Sequence, residues 1–342
     1  MKKMRYKSEK IKKRVKGIRL LSLFMALLLL TSCAGSGREE KKKTEEPPSQ
    51  KAPLHIVSTI FPEYDWVRVL LGDQQGKVKY TNLFTRGIDL HSFQPTAKDM
   101  QEIADCDLFL YVGGESDAWV EDALKNQSNP NRKVICLMTL LSDQLKNEEH
   151  LEGMMAEEEE EDGASSDEHV WLSLKNAQKI IPEIAKTLES LSPDQAEIIQ
   201  DHEKAYLEQL KILDQSYEKI TKTGKRKTIL FGDRFPFLYL TEDYGLTAYA
   251  AFSGCSAETE ASFETVSFLS KKIDEKCLPM VLTIEGGDQK LAKTIIENTR
   301  EKDQTIGQMN SMQSIRKEDV EKEISYLQLM EENLKVLDKA LH

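Results

Sequence analysis

An α/β fold in two lobes, each with a parallel sheet and joined by one long helix, is what this sequence predicts. Three observations carry that expectation. Strand-like β-branched runs alternate with helically spaced apolar residues from His55 to Met138; a long helical stretch follows Pro193; and the alternation resumes after Gly224. Strands that alternate with helices imply parallel pairing, because parallel strands need crossover connections. A chain of 342 residues is long for one compact unit, so two lobes, each burying its own core, is the natural division.

The elements follow in order. His55-Ile56-Val57-Ser58-Thr59 is a β-branched run, and Tyr64 to Leu71 has helical spacing ended by Gly72. Lys77 to Leu83 reads as the second strand. Thr96 to Ala104 reads as a helix with a Thr96–Asp99 capping box. Leu108 to Val112, stopped by Gly113-Gly114, is the third strand and Val134 to Met138 the fourth. From Lys175 the pattern is helical, punctuated by Pro182 and Pro193. In Ser192-Pro193-Asp194-Gln195, Ser192 can cap, Pro193 suits the first turn, and Gln195 can close a capping box. The helix from there to Thr221 would run ~45 Å at ~1.5 Å per residue. Lacking sustained heptads, it reads as a connecting strut.

After Gly224, strands are expected at Lys227–Phe231, Leu246–Phe252 and Pro279–Ile284. Helices are expected at Pro236–Asp243, Glu264–Lys272, Lys290–Glu301 and Ile315–Leu341. No P-loop or GxGxxG stands anywhere, which removes the commonest nucleotide-binding signatures.

The two ends of the first fifty residues differ in kind. Met1 to Arg19 is crowded with Lys and Arg, and Leu20 to Leu30 is apolar but far short of the ~20 residues that span a bilayer. Ser32-Cys33 closes that run, so Cys33 is the expected lipidated first residue of the mature chain, anchored on the extracytoplasmic face of the cell membrane. The stretch Ala34 to Pro53 is rich in Lys, Glu, Ser and Pro and is expected to be a flexible tether. The resulting division is 1–32 signal peptide, 33–53 tether, 54–190 first lobe with an acidic loop at 145–168, 191–222 connecting helix, and 223–342 second lobe.

The formal charge of −11 becomes more negative on processing, because the leader holds ten of the basic residues and one acid, which leaves about −20. That surface disfavours nucleic acid and suits cationic ligands or simple solubility. A monomer is expected. Besides Cys33 the chain has Cys106, Cys136, Cys255 and Cys277, without CxxC spacing. Their even number permits two disulfides, while their apolar settings suit small buried side chains.

Two histidines sit in informative places. His91, in Asp89-Leu90-His91-Ser92-Phe93-Gln94-Pro95-Thr96, follows a strand and precedes a helix. His169, in Asp167-Glu168-His169-Val170-Trp171-Leu172-Ser173, stands at another helix entrance. The carboxyl ends of parallel strands are where such folds gather ligands.

With these residues in view, the chain resembles the zinc- and manganese-binding lipoproteins of bacterial ABC importers. Asp89 to Asp99 is similar to that family's "HSFEPSPKD" segment, and Glu168 to Ala177 to its "DPHVWLSPKNA" segment; Thr59 to Trp66 fits its first strand-to-helix junction. The resemblance implies two lobes about a rigid helix with a metal cleft between them, an ABC permease as partner, and a divalent metal ion as cargo. It carries His91 and His169 over as the first two ligands. The third position falls on Gly232 or Arg234, neither a plausible ligand, so Asp233 between them is the candidate. The fourth falls on Gln313, a neutral oxygen where the family keeps an acid. Glu285, Glu258 and Glu260 are further oxygen candidates.

Two imidazoles with oxygen favour Zn²⁺ over Mn²⁺. The acidic run Glu157 to Asp162, with His150 nearby, could collect divalent cations for this site. Two other functions stay open: a membrane-anchored metallohydrolase, with Glu285 as its base, and a relative that has lost metal and serves adhesion or structure. The importer reading makes the protein a binding protein, not an enzyme.

Overall fold

A computed structural model describes residues 52–73, 76–84, 90–148, 150–154, 165–256, 260–313, 315–316, 319 and 322–342. Cys33, the tether as far as Lys51, the run Glu157 to Asp162 and Glu258 lie outside the described residues.

The first sheet is built from β1 (Leu54–Ser58), β2 (Val78–Asn82), β3 (Leu108–Tyr111) and β4 (Lys133–Cys136), in the order β2-β1-β3-β4. All its pairings are parallel, with Ile56 facing Tyr80 on one side and Leu108 on the other. Between β1 and β2 runs α1 (Phe61–Leu71). Its start is fixed by Glu63, whose Oε2 accepts from the N–H groups of Thr59 at 2.9 Å and Ile60 at 3.2 Å. An acid in the first turn thus satisfies donors that a helix leaves orphaned. The helix α2 (Ala97–Asp105) starts at the expected box: Thr96 Oγ1 accepts from Asp99 N–H, and Asp99 Oδ2 accepts from Thr96 N–H at 2.8 Å. The short helices α3 (Val120–Lys125) and α4 (Leu137–Leu140) carried no sequence signal of their own.

Helix α5 (Leu174–Leu191) keeps Pro182 inside it, and α6 (Ala196–Thr223) is the 28-residue strut, ~42 Å long. Its start differs from expectation. Residues Pro193–Gln195 form a 3₁₀ turn, closed by Gln195 N–H to Ser192 C=O at 2.9 Å, and the Ser192 side chain caps nothing. The backbone has supplied the bond that the hydroxyl was expected to make.

The second sheet comprises β5 (Thr228–Phe235), β6 (Thr247–Ser253), β7 (Met280–Ile284) and β8 (Thr305–Met309), ordered β6-β5-β7-β8. The strand order of the first sheet is thereby repeated, again all parallel. β5 is longer than expected. A register shift between Phe231 and Arg234 lets the strand continue to Phe235, so α7 (Leu238–Tyr244) begins later. Helices α8 (Phe263–Lys276) and α9 (Lys290–Glu297) cover the outer face. There Leu230, Phe252, Leu269, Ile273, Val281 and Ile295 form a separate core. Ile229 and Phe231, on the opposite face of β5, join the main core that continues through the first lobe.

The last helix, α10 (Tyr326–Leu341), starts later than the expected Ile315 and binds the halves together. Tyr326 gives its N–H to Asp65 Oδ2 at 2.7 Å and its hydroxyl to Trp171 C=O at 2.7 Å. Its ring meets Trp66 edge-on at 5.2 Å. Tyr217 in α6 donates to Met330 C=O at 2.7 Å. Among the described residues no helix is long and apolar enough to cross a membrane.

Candidate metal centre

Parallel strands deliver their carboxyl ends, and the loops that follow them, to one side of each sheet. His91 sits in a 3₁₀ turn, Leu90–Ser92, anchored by fully buried Leu90. His169 precedes a second such turn, Val170–Leu172, all of whose side chains are buried. Trp171 in that turn donates Nε1–H to Ser311 C=O at 2.8 Å, which ties the histidine loop to the loop after β8. Gln313 follows on that loop and is 1 % exposed.

These placements bring three of the sequence-predicted residues together. His91 Nε2 and His169 Nε2 are 3.3 Å apart, Gln313 Nε2 is 3.1 Å from His91 Nε2, and Gln313 also touches His169 Nε2. The outer ring nitrogens are held as well. Asp167 Oδ1 lies 3.2 Å from His169 Nδ1 and also accepts its backbone N–H at 2.8 Å. A carboxylate there accepts from Nδ1–H, which fixes the proton on Nδ1 and leaves Nε2 with its lone pair. His91 Nδ1 faces Ser116 Oγ at 2.7 Å, with Glu168 Oε2 behind it at 3.8 Å.

Two lone pairs aimed at each other repel unless a proton or cation sits between them. Nitrogens bound at ~2.05 Å to a tetrahedral zinc stand ~3.3 Å apart, which is the separation observed. The donor set therefore fits a tetrahedral divalent cation. The amide of Gln313 fits too, once its two ends are considered. The Ser311 hydroxyl has one proton and gives it to Glu285 Oε1 at 2.7 Å, so the amide atom 3.2 Å from Ser311 Oγ is better an N–H donor. The half-turned amide points its carbonyl oxygen at the imidazoles, where it would ligate a cation or accept from an imidazolium.

The electrostatics are acidic beneath the histidines. Burial raises the Glu168 carboxyl, and burial with its Glu168 neighbour pushes Asp117 up to about 7. Burial alone would lower His169, but the adjoining Asp167 carboxylate overcomes it and holds the imidazole above its ordinary value. Close packing needs two glycines. A side chain at Gly114 (φ +85°) would collide with Glu168, and one at Gly254 would stand 2.8 Å from the His169 ring.

Asp233, the candidate third ligand, is not among the side chains that cluster with the two histidines. Its Oδ1 accepts from Arg234 N–H at 2.9 Å and its Oδ2 from Ile284 N–H at 3.1 Å, so the carboxylate bridges β5 to β7 at the register shift. Gly232 is walled in, since a Cβ there would stand 2.8 Å from Ala292 Cα. Arg234 turns a guanidinium nitrogen toward Ser256 C=O at 3.4 Å. Glu285 accepts from Ser311 N–H at 2.6 Å as well as from its hydroxyl. That carboxylate is held by its neighbours, an unsuitable state for a hydrolytic base. Glu260 is exposed.

One residue was missed by sequence reasoning. Cys255, in the loop after β6, has its Sγ within 4.8 Å of a nitrogen of each histidine. Its N–H donates to Glu148 Oε1 at 3.1 Å, and burial, reinforced by Glu148, Glu168 and Asp167, pushes its thiol well above the ordinary value. Cys106, Cys136, Cys255 and Cys277 are all free, so the two disulfides their number permits are not formed. A cysteine in a strand-end loop was the available signal.

Comparison with known proteins follows the same line. A family model described as "Zinc-uptake complex component A periplasmic" matches residues 56–340. The "Zinc-binding lipoprotein AdcA" of Streptococcus pneumoniae serotype 4 is 30% identical over 287 residues, covering 83% of this chain and 55% of its own. The chain thus spans about half the length of that relative. The "High-affinity zinc uptake system protein ZnuA" of Bacillus subtilis is 27% identical over 322 residues, 92% of this chain and 94% of its own. The crystal structure of the Zn(II)-bound ZnuA-like domain of Streptococcus pneumoniae AdcA superposes with a TM-score of 0.66 at 27% identity, covering 84% of this chain and 99% of that one.

Proposed function

Because the chain belongs to the zinc-uptake complex component A family, we propose that it is an extracytoplasmic binding protein that captures zinc and hands it to an ABC permease. In this reading Cys33 carries the lipid anchor, the protein acts as a monomer, and no covalent chemistry is performed on a substrate. Zinc is cargo: it must be held tightly enough to be collected and released without reaction.

The single observation that supports this most strongly is the 3.3 Å spacing of the two Nε2 atoms, each with its outer nitrogen already engaged. That arrangement suits His91 and His169 as ligands from the first lobe, with Gln313 offering oxygen from the second. Manganese prefers oxygen-rich, higher-coordinate sets, so two imidazoles in a tetrahedral arrangement favour zinc. The hydrolase alternative has less support, because the two hydrogen bonds that Ser311 gives Glu285 weaken that carboxylate as a base.

A cargo that binds only the folded state stabilises it by mass action, about 2.7 kcal/mol at a hundredfold excess over Kd. Unfolding of the full chain with and without zinc tests the proposal. A rise in midpoint that disappears in His91→Ala and His169→Ala supports it; no rise in the unaltered protein refutes it.

A further inference from the structure

His91, His169 and Gln313 give zinc two nitrogens and one neutral oxygen, one ligand short of the usual four. Asp233 does not cluster with the histidines, and its two oxygens accept from backbone N–H groups of β5 and β7. Among the described residues, the His, Cys, Asp and Glu side chains that could jointly hold a metal ion form one group: His91, His169 and Cys255.

We propose that Cys255 is a metal ligand, binding as a thiolate opposite Gln313, so that the cleft is a His₂Cys site selective for zinc and other thiophilic divalent cations. The proposal rests on the metal-capture reading and sharpens it. Two features of the local chain bring the sulfur there. Cys255 follows β6, next to the central β5, at the carboxyl edge where the other site loops end. Gly254 lets the loop lie directly against the His169 ring, because any side chain there would strike the imidazole or Phe235 C=O. The backbone of Cys255 is pinned in turn by its N–H bond to Glu148.

The distances close with a small adjustment. Sulfur and nitrogen on one tetrahedral zinc lie about 3.6 Å apart, given ~2.3 Å for Zn–S and ~2.05 Å for Zn–N. The sulfur is within 4.8 Å, so a shift of roughly 1 Å or a turn about the Cys255 χ1 completes the shell. On binding, the S–H bond breaks, its proton leaves to solvent, and the Zn–S bond forms. The thiolate offsets one charge of the dication, a role that the neutral Gln313 cannot fill. Thiolate also discriminates against manganese, which favours hard oxygen ligands.

Cobalt(II) tests this directly, because it occupies zinc sites and shows an intense sulfur-to-cobalt charge-transfer absorption only when thiolate is bound. The full chain titrated with cobalt should develop that band to one equivalent. Cys255→Ser should abolish it and weaken zinc at least tenfold, about 1.4 kcal/mol. The exposed Cys277 and the anchor residue Cys33 serve as controls, and Cys277→Ser and Cys33→Ser should keep the band. Tetrahedral cobalt bound without any charge-transfer band overturns the cysteine ligand while leaving metal capture intact. Failure to bind either cobalt or zinc overturns both.

Discussion

Replacing Asp167 by Asn should weaken zinc binding while sparing the fold. In the native protein one carboxylate oxygen accepts both the backbone N–H of His169, at 2.8 Å, and its ring Nδ1–H, at 3.2 Å. Asp167 is 2 % exposed and His169 fully buried, so neither bond is shared with bulk water. An asparagine oxygen can still accept both, but it no longer bears the charge that makes the opposite nitrogen a stronger donor to metal. Loss of such an outer partner costs ten- to a hundredfold in affinity, about 1.4–2.8 kcal/mol. The pH profile should change too. Asp167 holds His169 above its usual value of 6.5 against the lowering effect of burial, and only the neutral ring binds metal. Protons therefore compete with zinc starting above pH 6.5 in the unaltered protein, and from a lower pH in Asp167→Asn. Competition against a chromophoric zinc chelator at several pH values measures both effects. Equal affinity and identical pH profiles in the two proteins would refute this role, and so would an apo melting temperature that drops sharply in the variant.

Three other perturbations are informative. Burial and its neighbour Asp117 push Glu63 up to about 8 from 4.5; an acid raised by folding contributes fully below 4.5 and loses that contribution as pH climbs toward 8. Wild-type stability relative to Glu63→Gln should therefore decline between pH 5 and pH 8 in urea unfolding, and a constant difference would contradict it. Deleting residues 155–164, which spares the Ser165–Ser166 pairing with the chain near Asn147, should preserve equilibrium zinc affinity but slow association at low cation concentration; stopped-flow traces unaffected by the deletion would remove the loop's collecting role. Cys33→Ser should release the protein from membranes, because an acylated, diacylglyceryl cysteine supplies enough chains for stable attachment, and continued membrane fractionation would argue against lipidation.

Much of the architecture was legible because it rests on local patterns. The Thr96 box, the Gly72 stop and the β-branched runs each depend on a few neighbouring residues, and the structure repeats them. The surroundings of His91 and His169 were legible for a similar reason: each histidine adjoins the buried apolar residues that seat its turn, Leu90 before His91 and Val170 to Leu172 after His169. The second lobe was harder. The end of β5 depends on a register shift against β6, which composition does not reveal, and that shift turned Asp233 from a strand-end candidate into a bridge to β7. Ser192 looked like a cap, yet the chain closes the turn through its backbone. Cys255 was overlooked because it reaches the histidines only through the packing of one lobe on the other, across 86 residues from His169.

The central claim is that His91 and His169 together hold zinc, and X-ray absorption at the zinc edge of the metal-loaded full chain measures their part most directly. A four-coordinate shell with two imidazole nitrogens at ~2.0–2.1 Å is expected, and it should vanish from the His91→Ala/His169→Ala double variant. A six-coordinate shell of oxygens without imidazole scattering, or an unchanged spectrum in the double variant, would contradict it.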